Sequence, residues 1–227
     1  MDRTSQDSTP ATIYNAATRS VVSGIGVLLG ISSIDHGVLE MLQGNHSTLG
    51  NLIKAQGPGH TWTLWTHGSE PAFTLVHNFL FTGVLATLAG LLLVLWSFRY
   101  IDRRRGALIF FLLSVVSFLV GGGMAQLLIF TLNWAAATRI RATLGFWRWI
   151  LPSPVRRILA RLWRWPLVVG TVLFAIALEI ALFGYFPGLP RDQDVVLRFL
   201  WDLAPAIIAA FLLSYLCAFA RDIEAYM

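Results

Sequence analysis

Five apolar stretches, each bounded by polar or charged residues, divide the chain: 21–44, 79–98, 107–137, 167–186 and 195–220. Crossing ~30 Å of hydrocarbon takes about 20 helical residues, and every stretch is that long. The second contains no charge at all. The pattern predicts an all-α, polytopic transmembrane bundle. Four stretches read as full spans. The third is broken near its midpoint by Gly121-Gly122-Gly123. Each glycine destabilises a helix by about 1 kcal/mol relative to alanine and lets the backbone turn where other residues cannot. The halves, of about 14 residues, would be helices of ~21 Å. Two readings follow: a helical hairpin that returns to its starting side, or a single long span whose glycines admit a close neighbour. A hairpin requires protein to cover the glycine turn, because lipid cannot satisfy exposed backbone groups.

The segment 138–165 has a different pattern. Arginines alternate with Trp147, Trp149, Trp163 and Trp165, and Pro152 and Pro154 divide it. Val155, Ile158, Leu159, Leu162 and Trp163 recur at helical spacing, with Arg156, Arg157, Arg161 and Arg164 largely on another face. This predicts an interfacial amphipathic helix whose arginines meet anionic lipid headgroups. A basic, aromatic segment also suits nucleic acid, but the adjoining spans favour lipid as the partner.

Charge placement then bears on topology. Of 17 cations, 16 are arginine and one is Lys54. Arg99, Arg103, Arg104 and Arg105 precede the third stretch; Arg139, Arg141, Arg148, Arg156, Arg157, Arg161 and Arg164 follow it. The excess of positive charge in cytoplasmic loops calls for both clusters on the inside, which a straight third span forbids and a hairpin allows. With a cytoplasmic N-terminus the hairpin leaves only Lys54, Arg191 and Arg198 outside.

Composition excludes an ordinary soluble domain: 56% of residues are hydrophobic and 13% charged, about half the usual charged share. Residues 1–19 read as a polar tail and 20–227 as one membrane-embedded domain. No small-residue cleavage site follows the first stretch, which is expected to be a retained span. Cys217, the single cysteine, permits no intrachain disulfide or CxxC pair and reads as a packing thiol. No internal repeat, phosphate-binding loop or serine-nucleophile elbow is visible.

The candidate chemistry is concentrated early. All five histidines, His36, His46, His60, His67 and His77, lie in the first 77 residues. Asp35, His36 and Glu40 occupy the C-terminal half of the first stretch, and His36 and Glu40, four apart, share a helix face. The following loop carries His46, His60, His67 and Glu70, a turn at Gly57-Pro58-Gly59, and Trp62 and Trp65 as expected interface anchors. A second span starting near Ala72 would put His77 at the depth of His36. Under the hairpin reading Glu179 and Asp202 join them in one outer leaflet.

Ionisable groups within spans are expensive and usually functional. Asp35, His36, Glu40, His67, Glu70, His77 and Glu179 are the candidate ligand-binding set, with His36, Glu40 and His77 as a transition-metal trio. A b-type haem between His36 and His77 is an alternative, and a metal-free proton relay or polar-ligand site another. Against all three stands simple pairing of the carboxylates to fix helix packing, with His46 and His60 as ordinary loop residues. The expectation is an integral membrane protein binding a metal ion or small polar ligand at the outer leaflet, in transport or sensing. The alternatives are a membrane-embedded metal-dependent enzyme, with a carboxylate as general base, or a non-catalytic assembly or anchor protein, acting as a homo-oligomer or with a partner membrane subunit.

The stretch Ile34-Asp-His-Gly-Val-Leu-Glu-Met-Leu-Gln-Gly-Asn45, with Gly68-Ser-Glu-Pro-Ala-Phe-Thr-Leu75 and the Gly121 triplet, resembles a family of prokaryotic multi-pass membrane proteins with no assigned activity. The resemblance covers most of the chain from about residue 20. It implies a bacterial inner-membrane location and brings no substrate or cofactor with it.

Overall fold

The computed structural model describes residues 13–56, 65 and 67–227. Four helices are long and apolar enough to cross a membrane: α1 (Ala16–Leu42), α2 (Phe79–Arg99), α7 (Trp165–Phe183) and α8 (Gln193–Ala225). Between α2 and α7 lie α3 (Gly106–Leu119), α4 (Leu127–Ala137), α5 (Gly145–Ile150) and α6 (Ser153–Leu162). Between α1 and α2, β1 (Leu52–Lys54) pairs antiparallel with β2 (Pro71–Phe73), with Ile53 opposite Ala72. The protein is a multi-pass membrane protein, mostly helical, with this small sheet at one end.

α1 and α2 form the tightest pair, for a reason visible in their small residues. A Cβ on Gly83 would come within 2.5 Å of the Gly37 carbonyl oxygen, and one on Gly90 within 2.7 Å of that of Gly30. Only hydrogen fits at these crossings. Lipid supplies no hydrophobic drive between helices, so such close approach is what holds them together.

The apolar run after α2 folds as two helices packed side by side. Phe110 lies against Phe130, with ring centroids 6.2 Å apart, and Phe111 against Trp134 at 4.9 Å. Arg141 Nε donates to the Asp102 carbonyl at 2.6 Å, so the start of α3 and the end of α4 lie together. α1 begins at the same end: Asn15 N–H donates to the Ile140 carbonyl (2.8 Å), and its side-chain amide to Arg139 and Ala142. The end of α8 joins them through Asp222, whose carboxylate accepts from the Ala17 and Thr18 amides at 2.9 and 2.8 Å and from the Thr18 hydroxyl. That carboxylate caps α1 from the far end of the chain, satisfying donors every helix start leaves open.

The break between α3 and α4 sits at the opposite end, and protein covers it. With 14 residues, α3 rises only ~21 Å, and β2 reaches in to meet it. Gly121 N–H donates to the Phe73 carbonyl (3.0 Å), Met124 N–H to Pro71 (3.1 Å), and Leu75 N–H to Leu119 (2.9 Å). The Gly122 carbonyl accepts from Gln126 Nε2 at 2.9 Å. Gly121 and Gly123 have φ of 99° and 96°, a left-handed conformation that side chains resist.

Three expectations require correction. The second span does not start near Ala72: residues 71–73 are strand, and α2 begins at Phe79 behind the Asn78 cap, whose side chain accepts from Phe81 N–H. Pro71 and the pairing of this segment with the glycine break hold it extended. Trp65 is not an interface anchor. It is buried, with Nε1 donating to the Ala181 carbonyl at 3.0 Å. Arg156 does not reach for lipid. α6 packs on α8, and Arg156 is buried in an ion pair with Glu224.

Candidate functional site

The site is organised by one face of α1. Ser32, Ser33, His36 and Glu40 are buried along it and Asp35 is half-buried beside them. His36 Nε2 lies 3.2 Å from a carboxylate oxygen of Glu70, which descends from the loop before β2. Gln126, at the start of α4, donates from Nε2 to Ser32 Oγ at 2.9 Å. The glycine break fits against this face closely. A Cβ on Gly123 would come within 2.7 Å of His36 Nε2, and one on Gly121 would meet the Glu40 carboxylate. The two positive-φ glycines therefore serve both the backbone turn and the approach of the two acid–base groups.

A cavity of about 240 Å³ opens beside these residues. Asp35, His36, Glu70 and Gln126 line its polar part, and apolar side chains of α7 and α8, including Phe174, Leu178, Leu200 and Ile207, line the rest. α4 packs on α1 and α3 and barely touches α7 or α8, which leaves the gap that the cavity occupies. Among the described residues His36 Nδ1 and the Gln126 carbonyl oxygen are buried without a hydrogen-bond partner. An unmatched buried polar atom costs about 1–3 kcal/mol, so both are sites where a guest could be held.

Glu40 is arranged differently. It is 0% exposed, and neither carboxylate oxygen has a hydrogen-bond partner among the described residues. Thr82 stands beside it, but the Thr82 hydroxyl donates to the Val120 carbonyl at 2.7 Å and meets Thr74 Oγ1 at 2.6 Å. Glu40 faces the glycine turn, outside the cavity.

The other predicted residues disperse. His67 pairs with Asp194 at 3.0 Å near the start of α8, away from the cavity. His77 is exposed ahead of α2, and its backbone carbonyl accepts from Thr48. Glu179 is exposed on α7 and does not line the cavity, and Asp202 is exposed on α8. The carbonyl of His46 accepts from Phe79 N–H. His60, Trp62 and the Gly57-Pro58-Gly59 turn lie outside the described residues. Among the described residues, no group of three or more His, Cys, Asp or Glu side chains could hold a metal ion. His36, Glu40 and His77 are thus not gathered as a trio, because α2 starts later than expected. His36 is buried within α1, whereas His77 is exposed ahead of α2 and not on it.

Sequence reasoning missed Gln126. Its signal was available: it is one of two side-chain amides in the third apolar run, with Asn133, and an amide in such a run seeks partners. Tyr215 was missed too, with its hydroxyl 2.9 Å from Asn133 Oδ1 across α8 and α4. No family model, curated protein or solved structure matches this chain.

Proposed function

We propose that this is a bacterial inner-membrane protein that binds a small amphipathic ligand with a cationic or hydrogen-donating head, in transport or sensing. Asp35, His36 and Glu70 take the head, Gln126 assists, and the cavity between α4, α7 and α8 takes the apolar body. The carrying observation is the composition of that cavity: acids and an imidazole at one part, hydrocarbon side chains over the remainder. Two acids beside one imidazole favour a positive or donating guest over an anion. At about 240 Å³ the cavity is smaller than the ~300–1,000 Å³ of drug-sized sites, which favours a short-chained molecule. Its position in the seam beside α4 suits entry from the bilayer.

In this reading α3 and α4 are a re-entrant pair. The arginine-rich end faces the cytoplasm, and the ligand site lies in the outer leaflet. The cover that β2 gives the glycine turn supports it, since an uncovered turn would be untenable in lipid. Calorimetric titration of the protein in nanodiscs with n-octylamine, n-octanol and octanoate tests the head preference. The amine should bind most tightly, and Asp35→Asn with Glu70→Gln should abolish its advantage. Equal binding of the three, or an unchanged preference in the double variant, would refute the assignment.

A second reading, assembly with a partner membrane subunit or another copy, is favoured by Glu179, Arg198 and Asp202. These are exposed charges near the adjoining ends of two spanning helices, α7 and α8, where a partner could shield them from lipid. Mass photometry of the detergent-free particle, with and without Glu179→Leu, separates the two readings.

A further inference from the structure

A second cavity, of about 530 Å³, lies where α4, α5 and α8 meet. Leu132, Trp134, Leu212, Leu216 and Phe219 are among its apolar walls, and the Asn133–Tyr215 hydrogen bond borders it between α4 and α8. Thr138 and Arg139 line it too, and both are exposed. The wall on the α5 side is Trp147, which lies against Phe219 with ring centroids 4.9 Å apart and planes tilted by 33°. Beside it Phe146 and Trp149 project outward, 64% and 83% exposed. Exposed aromatics at the end of a bundle mark the headgroup level, so the mouth of this groove opens where lipid phosphates lie.

Arg139 distinguishes the groove from an ordinary packing gap. Arg141, two residues on, is bound to the Asp102 carbonyl, and Arg156 is paired with Glu224. The Arg139 side chain has no hydrogen bond or ion pair among the described residues, and it stands at the edge of a hydrocarbon-lined space. A guanidinium so placed matches a phosphate, which it can grip with two parallel N–H donors.

We propose that this groove is a binding site for one anionic phospholipid, with an acyl chain between α4 and α8 and the phosphate on Arg139. The site is chemically opposite to the acidic cavity near His36 and does not depend on that reading. The neighbouring arginines raise the local concentration of anionic lipid; the groove converts this general attraction into a seat for a single molecule.

Native mass spectrometry of the full chain, released from mixed micelles holding equal amounts of phosphatidylglycerol and phosphatidylcholine, tests the proposal. The expected result is one retained lipid per chain, with phosphatidylglycerol favoured. Arg139→Gln should lower that preference about fivefold, the factor that ~1 kcal/mol per surface arginine represents, and Arg139→Lys should keep most of it. Leu212→Trp, which fills the groove from an exposed position, should remove retained lipid of both kinds. Arg104→Gln, the same charge change at an exposed site that does not line the groove, should leave retention intact. Thermal melts confirm that each variant is folded, and the Arg139 pair carries the test should Leu212→Trp not fold. Retention without headgroup preference, or equal losses in Arg139→Gln and Arg104→Gln, would overturn the proposal. So would lipid retained by a folded Leu212→Trp protein, or added oleate retained in place of phosphatidylglycerol.

Discussion

The two ends of the bundle both hold buried polar groups, yet they treat them in opposite ways. At the arginine-rich end most of the groups are matched, Arg19 Nε and Ser97 Oγ being exceptions. Asp222 accepts two backbone amides and a hydroxyl, Asn15 reaches two carbonyls, and Tyr14 and Tyr226 exchange hydrogen bonds. At the sheet end the backbone is well satisfied by β2, while side chains on α1 keep spare capacity: His36 Nδ1 and both oxygens of Glu40. A fully matched group fixes structure, whereas an unmatched one costs stability until something fills it. The contrast separates the part of the molecule that holds the fold from the part available for chemistry.

The comparison can be broken at its root by asking whether the ends face opposite sides of a membrane. Single cysteines at Asn51 and Ser153, in a Cys217→Ser background, should be labelled from opposite sides of sealed vesicles. This is an all-or-none outcome, and labelling of both from one side refutes the re-entrant reading. Next in size, Asp222→Ala should destabilise the protein by about 2–4 kcal/mol, since it removes a helix cap and strands buried donors. A chemical or thermal melt in detergent reads this directly. Gly123→Ala should cost about 1–3 kcal/mol, because its methyl would enter the space of His36 at a backbone conformation that resists side chains. Smallest of all, Glu40→Gln should change stability by less than about 1 kcal/mol, with no hydrogen bond to lose. A cost for Glu40→Gln equal to that of Asp222→Ala would erase the distinction between the ends.

Much of the helical architecture was legible. The uncharged run 79–98 coincides with α2 to within a residue, and the proline-divided basic segment became α5 and α6. These follow from length and periodicity, which are local properties. What escaped was set by partners distant in sequence. Pro71–Phe73 reads as the mouth of a span, because nothing nearby announces that its carbonyls receive Gly121 and Met124. His77 was drawn into the metal trio for that reason alone. Arg156 looks like its neighbours on α6, and only Glu224, far along the chain, separates it from them. Of the candidate set, Asp35, His36 and Glu70 meet at one cavity, since α1 spacing fixes the first two and the loop supplies the third. Glu179 was assigned by depth, but depth does not determine which way a side chain turns.

The clasp that Asp222 places on Ala17 and Thr18 also imposes an order on biogenesis. The opening turn of α1 enters the bilayer with bare amides, and its partner on α8 emerges from the ribosome only after α2 to α7 have been made. Until then the earliest segment is held by α2, by α4 and by the Asn15 contacts beyond α4, and water must serve the exposed donors. Completion of the bundle is thus signalled chemically, by the arrival of a single carboxylate.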